Sequence, residues 1–77
     1  MKSHIQIKLF ANLQEFTPSS PDNYPIDADQ TIHSLIEQLK IPPEKAKLIF
    51  INGVKANSTT QLKGGERVAI FPPVGGG

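Results

Sequence analysis

The chain has 77 residues, with eight lysines and arginines against seven aspartates and glutamates (net charge +1), no cysteine and no tryptophan. That length allows one domain, and the missing cysteine excludes disulfide scaffolds, cysteine-ligated zinc, thiol nucleophiles and redox switches. A near-neutral balance gives no electrostatic footprint for nucleic acid or an anionic membrane.

No apolar run approaches the roughly 20 residues that span a bilayer. Met1–His4 leads into alternating residues rather than the continuous apolar stretch of a secretion signal, so a soluble cytoplasmic domain is expected. His4–Phe10 alternates, with Ile5, Ile7 and Leu9 on one parity and Gln6, Lys8 and Phe10 on the other, the period of a half-buried strand. Ala11–Phe16 predicts a helical turn, because Leu13 and Phe16 stand three apart. Thr17–Asn23 reads as a loop with two prolines. Tyr24–Asp27 is a short extended piece, and Pro25, lacking an amide hydrogen, places it at a sheet edge or delays its start.

Ile32, Leu35, Ile36 and Leu39 form one apolar stripe at helical spacing. The spacing predicts a helix from about Thr31 to Lys40, capped by Thr31 or by its rival Asp29 and stopped by Pro42-Pro43. Leu48–Ile51 is a further strand. Asn52-Gly53 signals a tight turn, and Val54–Ala56 can pair back. Gln61–Lys63 leads into a Gly64-Gly65 turn, and Val68–Phe71 is the last strand before Pro72-Pro73. The predicted architecture is α+β, a mixed sheet packed on one main helix over residues 1–71, with 72–77 as a flexible tail.

A sheet covered by one helix needs one apolar face. Ile5, Ile7, Leu9, Leu48, Phe50, Val68 and Ile70 can fill it, which leaves Phe10, Ile49, Ile51 and Phe71 on the opposite parity beside Gln6, Lys8 and Ala69. Either these strand-end groups curl back into the core or under the Thr17–Asn23 loop, or they form a protein-docking surface.

Side-chain catalysis finds little support. His4 and His33 lack ligand spacing, so no metal site is expected; the carboxylates are scattered, and no serine has a nucleophile context. Gly64-Gly65 precedes no helix and reads as a turn. The remaining chemistry is at Gly75-Gly76-Gly77. Pro72-Pro73 leaves the sheet stiffly, six residues reach roughly 20 Å, and glycines without Cβ atoms can thread a narrow channel. An α-carboxyl delivered there is ionised and unreactive at neutral pH until a partner activates it. The alternative is a frayed tail.

The ending V-A-I-F-P-P-V-G-G-G (Val68–Gly77) resembles the terminus of molybdopterin synthase small subunits, the MoaD-like sulfur carriers, which are related to the thiamine-pathway carriers of the ThiS type. I-K-L-F-A-N-L-Q-E-F (Ile7–Phe16), T-I-H-S-L-I-E-Q-L (Thr31–Leu39), I-N-G-V (Ile51–Val54) and L-K-G-G-E-R-V (Leu62–Val68) are similar to that family's other segments, so the resemblance spans the chain. It implies the β-grasp, ubiquitin-like fold. It also implies that Phe10, Ile49 and Phe71 dock partners while Pro72, Pro73, Val74, Gly75 and Gly76 thread a partner's active site. In that family a ubiquitin-activating-type enzyme adenylates the terminal carboxylate, here that of Gly77, with ATP. Sulfur from a persulfide donor then replaces AMP, and the thiocarboxylate serves an acceptor such as the molybdopterin synthase large subunit. The carrier is then no enzyme, holds no cofactor, binds neither nucleic acid nor membrane, and is a monomer when free. The alternatives are a ubiquitin-like modifier conjugated through Gly77, a carrier for thiamine, tRNA thiolation or cysteine synthesis, and a β-grasp binding module with an inert tail. Two departures stand out: Lys55 occupies a place where close relatives often have a hydrophobe, and many such carriers are acidic where this chain is +1.

Overall fold

The computed structural model describes residues 3–73. Its strands are β1 (Ser3–Leu9), β2 (Tyr24–Ile26), β3 (Gln30–Thr31), β4 (Leu48–Ile51), β5 (Val54–Ala56), β6 (Gln61–Leu62) and β7 (Arg67–Phe71), with one α-helix, α1 (Ile32–Gln38). Five strands form one sheet in the order β2-β1-β7-β4-β5, and β3 pairs with β6 in a separate two-stranded ladder. β1 and β7 run parallel at the centre, and the flanking pairs are antiparallel.

Local chemistry explains most boundaries. Ala11–Phe16 is a 3₁₀ turn that buries Leu13 completely. β2 lies at a sheet edge, where Pro25 costs least. Thr31 caps α1, its hydroxyl accepting from the Ser34 amide at 3.1 Å. Asp29 instead occupies the left-handed region at φ +60°, in the turn that precedes β3.

The helix is shorter than its apolar stripe suggested, and the prolines do not stop it. Lys40 turns left-handed at φ +64°; the Lys40 amide donates to Glu37 O, and the Ile41 amide donates to Ile36 O. This is the Schellman closure, and buried Ile41 supplies its hydrophobic contact. The β3–β6 ladder has no separate signal in the sequence, since two-residue strands are too short to show a period.

Ile5, Ile7, Leu9, Leu13, Ile26, Ile32, Leu35, Ile49, Leu62, Val68 and Ile70 all lie in the core, within one buried cluster. The apolar stripe of α1 covers the inner face of the sheet. Gln30, a buried polar residue, is satisfied: its Oε1 accepts from the Asp27 amide at 3.0 Å and its Nε2 donates to Gln38 Oε1 at 2.6 Å. At the far end of β7, Gly64 has φ +120°, and a Cβ there would lie 2.6 Å from Ser3 Cβ. Only glycine allows that bend to close against β1. The Glu66 carboxylate accepts from the Lys63 and Gly64 amides at 2.8 and 2.7 Å and fixes the bend.

The parity of β4 is the opposite of the one expected. Ile49 is buried, 6% exposed, while Leu48 and Phe50 are half-buried on the other face. The reason is register: Ile49 stands opposite Ile70 and Ile51 opposite Val68, both core positions of β7, whereas Leu48 and Phe50 face Phe71 and Ala69. Ile51 is partly buried against the core. Four consecutive apolar residues carry no alternation of their own, so pairing with β7 decides which face each takes.

Candidate functional site

The outer face of the sheet holds the candidate site. Parallel pairing of β1 with β7 brings the carboxyl ends of both strands to one end of the sheet, and Phe10, just past β1, there meets Phe71. Their rings stack with centroids 4.1 Å apart and planes 9° from parallel. Phe50 abuts Phe71 edge-on at 5.7 Å and 84°. Both geometries suit the aromatic quadrupole. The three rings are half-buried and point away from the helix. They sit at the root of the tail, since Pro72 follows Phe71 directly.

Below the rings the face becomes polar. Ala69, small and central, floors a shallow concavity of about 610 Å³ bordered by Phe10, Phe50, Phe71, Gln6, Lys8 and Arg67. The backbone around it is fixed. The Lys47 amide donates to Phe71 O at 3.0 Å, and the Phe10 amide to Ile70 O at 3.3 Å. The Asn52 side chain accepts from the Arg67 amide at 3.0 Å, while the Asn52 amide donates to Arg67 O at 2.9 Å.

The sequence-predicted positions divide as follows. Phe10 and Phe71 are on this face and in contact. Pro72 is half-buried and Pro73 exposed at the start of the tail. Val74, Gly75, Gly76 and Gly77 lie outside the described residues. Ile49 does not belong to the outer face of the free chain: it packs in the core, and Phe50 occupies the face in its place. Sequence reasoning missed Phe50, although one signal was available. A two-residue Asn52-Gly53 turn sets Phe50 opposite Lys55, and a lysine directly across a strand pair marks that face as the solvated one.

The histidines do not converge: His4 lies on β1, and His33 on α1 is exposed with its Nε2 3.6 Å from Glu37 one turn on. Among the described residues no group of histidine and carboxylate side chains could hold a metal ion. No helix among them is long and apolar enough to cross a membrane.

The ThiS family model matches residues 7–77, from the middle of β1 through the last glycine. No curated protein matches the chain. Among solved structures, it resembles SAMP1 from Haloferax volcanii at 25% identity, over 97% of this chain and 100% of that one, with a TM-score of 0.71. The Haloferax volcanii HVO 2177 protein shares 20% identity over 99% of this chain and 88% of its own, with a TM-score of 0.77. A candidate molybdopterin converting factor, subunit 1, from Pyrococcus furiosus shares 24% identity over 94% of this chain and 99% of its own, with a TM-score of 0.64. The last two likenesses speak for the fold, a mixed sheet on one helix. The family match extends over nearly the whole chain, and the chain belongs to the ThiS family of ubiquitin-like, β-grasp proteins related to MoaD.

Proposed function

We propose that this protein is a sulfur carrier whose reactive group is the Gly77 carboxyl. The observation that supports it best is the ThiS family match running through residue 77, on a chain whose outward aromatic cluster stands at the root of that tail. The carrier supplies a shape and a carboxyl group; the catalytic groups belong to its partners. In the first step the Gly77 carboxylate attacks the α-phosphorus of ATP on an activating enzyme, and pyrophosphate leaves. A persulfide sulfur then displaces AMP, and a thiol reduces the resulting acyl disulfide to free the thiocarboxylate. The tail enters an acceptor enzyme and gives up the sulfur. The chain itself holds no cofactor, and ATP is consumed by its partner. Molybdopterin synthesis is the preferred pathway, on the likeness to a candidate molybdopterin converting factor subunit; thiamine synthesis, tRNA thiolation and cysteine synthesis are its alternatives.

The test is intact-mass spectrometry after incubation with a purified ubiquitin-activating-type enzyme, ATP and a persulfide donor. The expected product is heavier by the exchange of one oxygen for sulfur, and a chain lacking Gly76-Gly77 gives none. An unchanged mass, with a control carrier converted in the same mixture, would refute the proposal.

A second reading rests on the likeness to SAMP1, a small archaeal modifier protein: conjugation of Gly77 to lysines of other proteins. It predicts Gly-Gly remnants on substrate lysines in cells and is refuted if only free protein is found under several stresses. The two readings share the adenylation step.

A further inference from the structure

Across the sheet, the outer-face residues form three rungs. Nearest the tail, Phe10 stacks on Phe71, which stands opposite Leu48. The middle rung crosses four strands: Lys8 pairs with Ala69, Ala69 with Phe50, and Phe50 with Lys55. In the lowest rung Gln6 pairs with Arg67, whose amide is held by Asn52. Lys8, Lys55 and Arg67 are exposed. The ion pair found among the described residues is His33–Glu37, on the helix, so none of the three cations is neutralised within them. Asp22 is the sole acid bordering the concavity. A chain of net charge +1 therefore concentrates three cations on the face that also carries its aromatic cluster.

We infer that this face docks a protein surface bearing an apolar ridge flanked by carboxylates. The ridge seats over Ala69, between the Phe10–Phe71 stack and Phe50. The carboxylates meet Lys8 on one side and Lys55 on the other. Those two positions are three strand spacings apart, about 14 Å at the backbone. A third carboxylate meets Arg67 below. The apolar rungs supply contact area, and the flanking cations set register and speed of encounter, so that a partner with basic flanks is repelled. The aromatic centre and the small net charge favour a protein over a nucleic acid, whose phosphates ask for a broader basic surface. This inference rests on the carrier reading in one respect: the partner is taken to be the enzyme that activates Gly77.

The test measures association of the full chain with the purified ubiquitin-activating-type enzyme from the same genome by stopped-flow, between about 50 and 300 mM salt. At low salt the double variant Lys8→Glu/Lys55→Glu is expected to associate at least about ten-fold more slowly than the parent chain. The parent is expected to slow with added salt, and Lys8→Arg/Lys55→Arg to behave as the parent. Both lysines are exposed, so melting temperatures should agree. Equal rates for parent and Glu variant, salt-independent association, or faster association of the Glu variant would overturn the inference. So would a single-stranded oligonucleotide that competes with the enzyme for this face. Adenylation at saturating enzyme is scored separately: parent and Glu variant both adenylated at equal association rates would overturn the inference and leave the carrier reading intact. A parent chain that is never adenylated overturns both.

Discussion

Ile49 and Phe50 are neighbours in β4, yet they belong to opposite faces of one sheet. Ile49 is closed into the core opposite Ile70. Phe50 stands over Ala69 and leans edge-on against Phe71, half open to water. The inner face is aliphatic and covered by α1. The outer face is aromatic at the tail end, basic lower down, and covered by nothing among the described residues. The inner face spends its apolar area on folding, because every side chain there leaves water when the helix closes. The outer face keeps its apolar area available for a second burial, on association.

Four substitutions test this division, taken from the largest expected effect on folding to the smallest. Ile70→Ala removes a fully buried side chain and should destabilise the chain by about 2–5 kcal/mol in urea unfolding, without a specific effect on partner binding in the surviving folded fraction. Gly64→Ala forces a side chain into a left-handed backbone and against Ser3, and should cost about 1–3 kcal/mol by the same measurement. It disturbs the end of the sheet away from the tail, so association with a partner should survive it. Phe50→Ala removes one edge-on aromatic contact and should cost about 0.5–1.5 kcal/mol of stability while weakening association with the activating enzyme. If Phe50→Ala proved as destabilising as Ile70→Ala, the outer face would be core. The fourth, Phe71→Glu, separates the faces most sharply and is taken last.

Much of this arrangement was readable beforehand. β1 shows its two faces as a clean alternation, and Phe10 follows from it. The apolar stripe marks α1, and Thr31 its start. The end of α1 was misplaced because a left-handed lysine leaves no compositional trace, whereas a glycine in that position would have. The β4 faces were not readable from Leu48–Ile51 alone: an all-apolar strand gets its register from partners, and the deciding partner, β7, lies far along the chain. The same non-local pairing hid the Lys8–Ala69–Phe50–Lys55 row, which spans four strands drawn from four parts of the sequence. The tail was legible for a different reason. Its glycines and prolines restrict what the segment can be before any partner is known.

The most direct measurement is the Phe71→Glu chain, followed in parallel by a two-dimensional amide NMR spectrum and by its rate of thiocarboxylate formation at limiting activating enzyme. The outer-face account predicts a dispersed, folded spectrum, with shifts confined to the neighbourhood of Phe10, Leu48, Phe50 and Pro72, together with a clear loss of thiocarboxylate formation. A collapsed spectrum would show that Phe71 holds the fold together, and a folded chain converted at the parent rate would show that this face takes no part in docking.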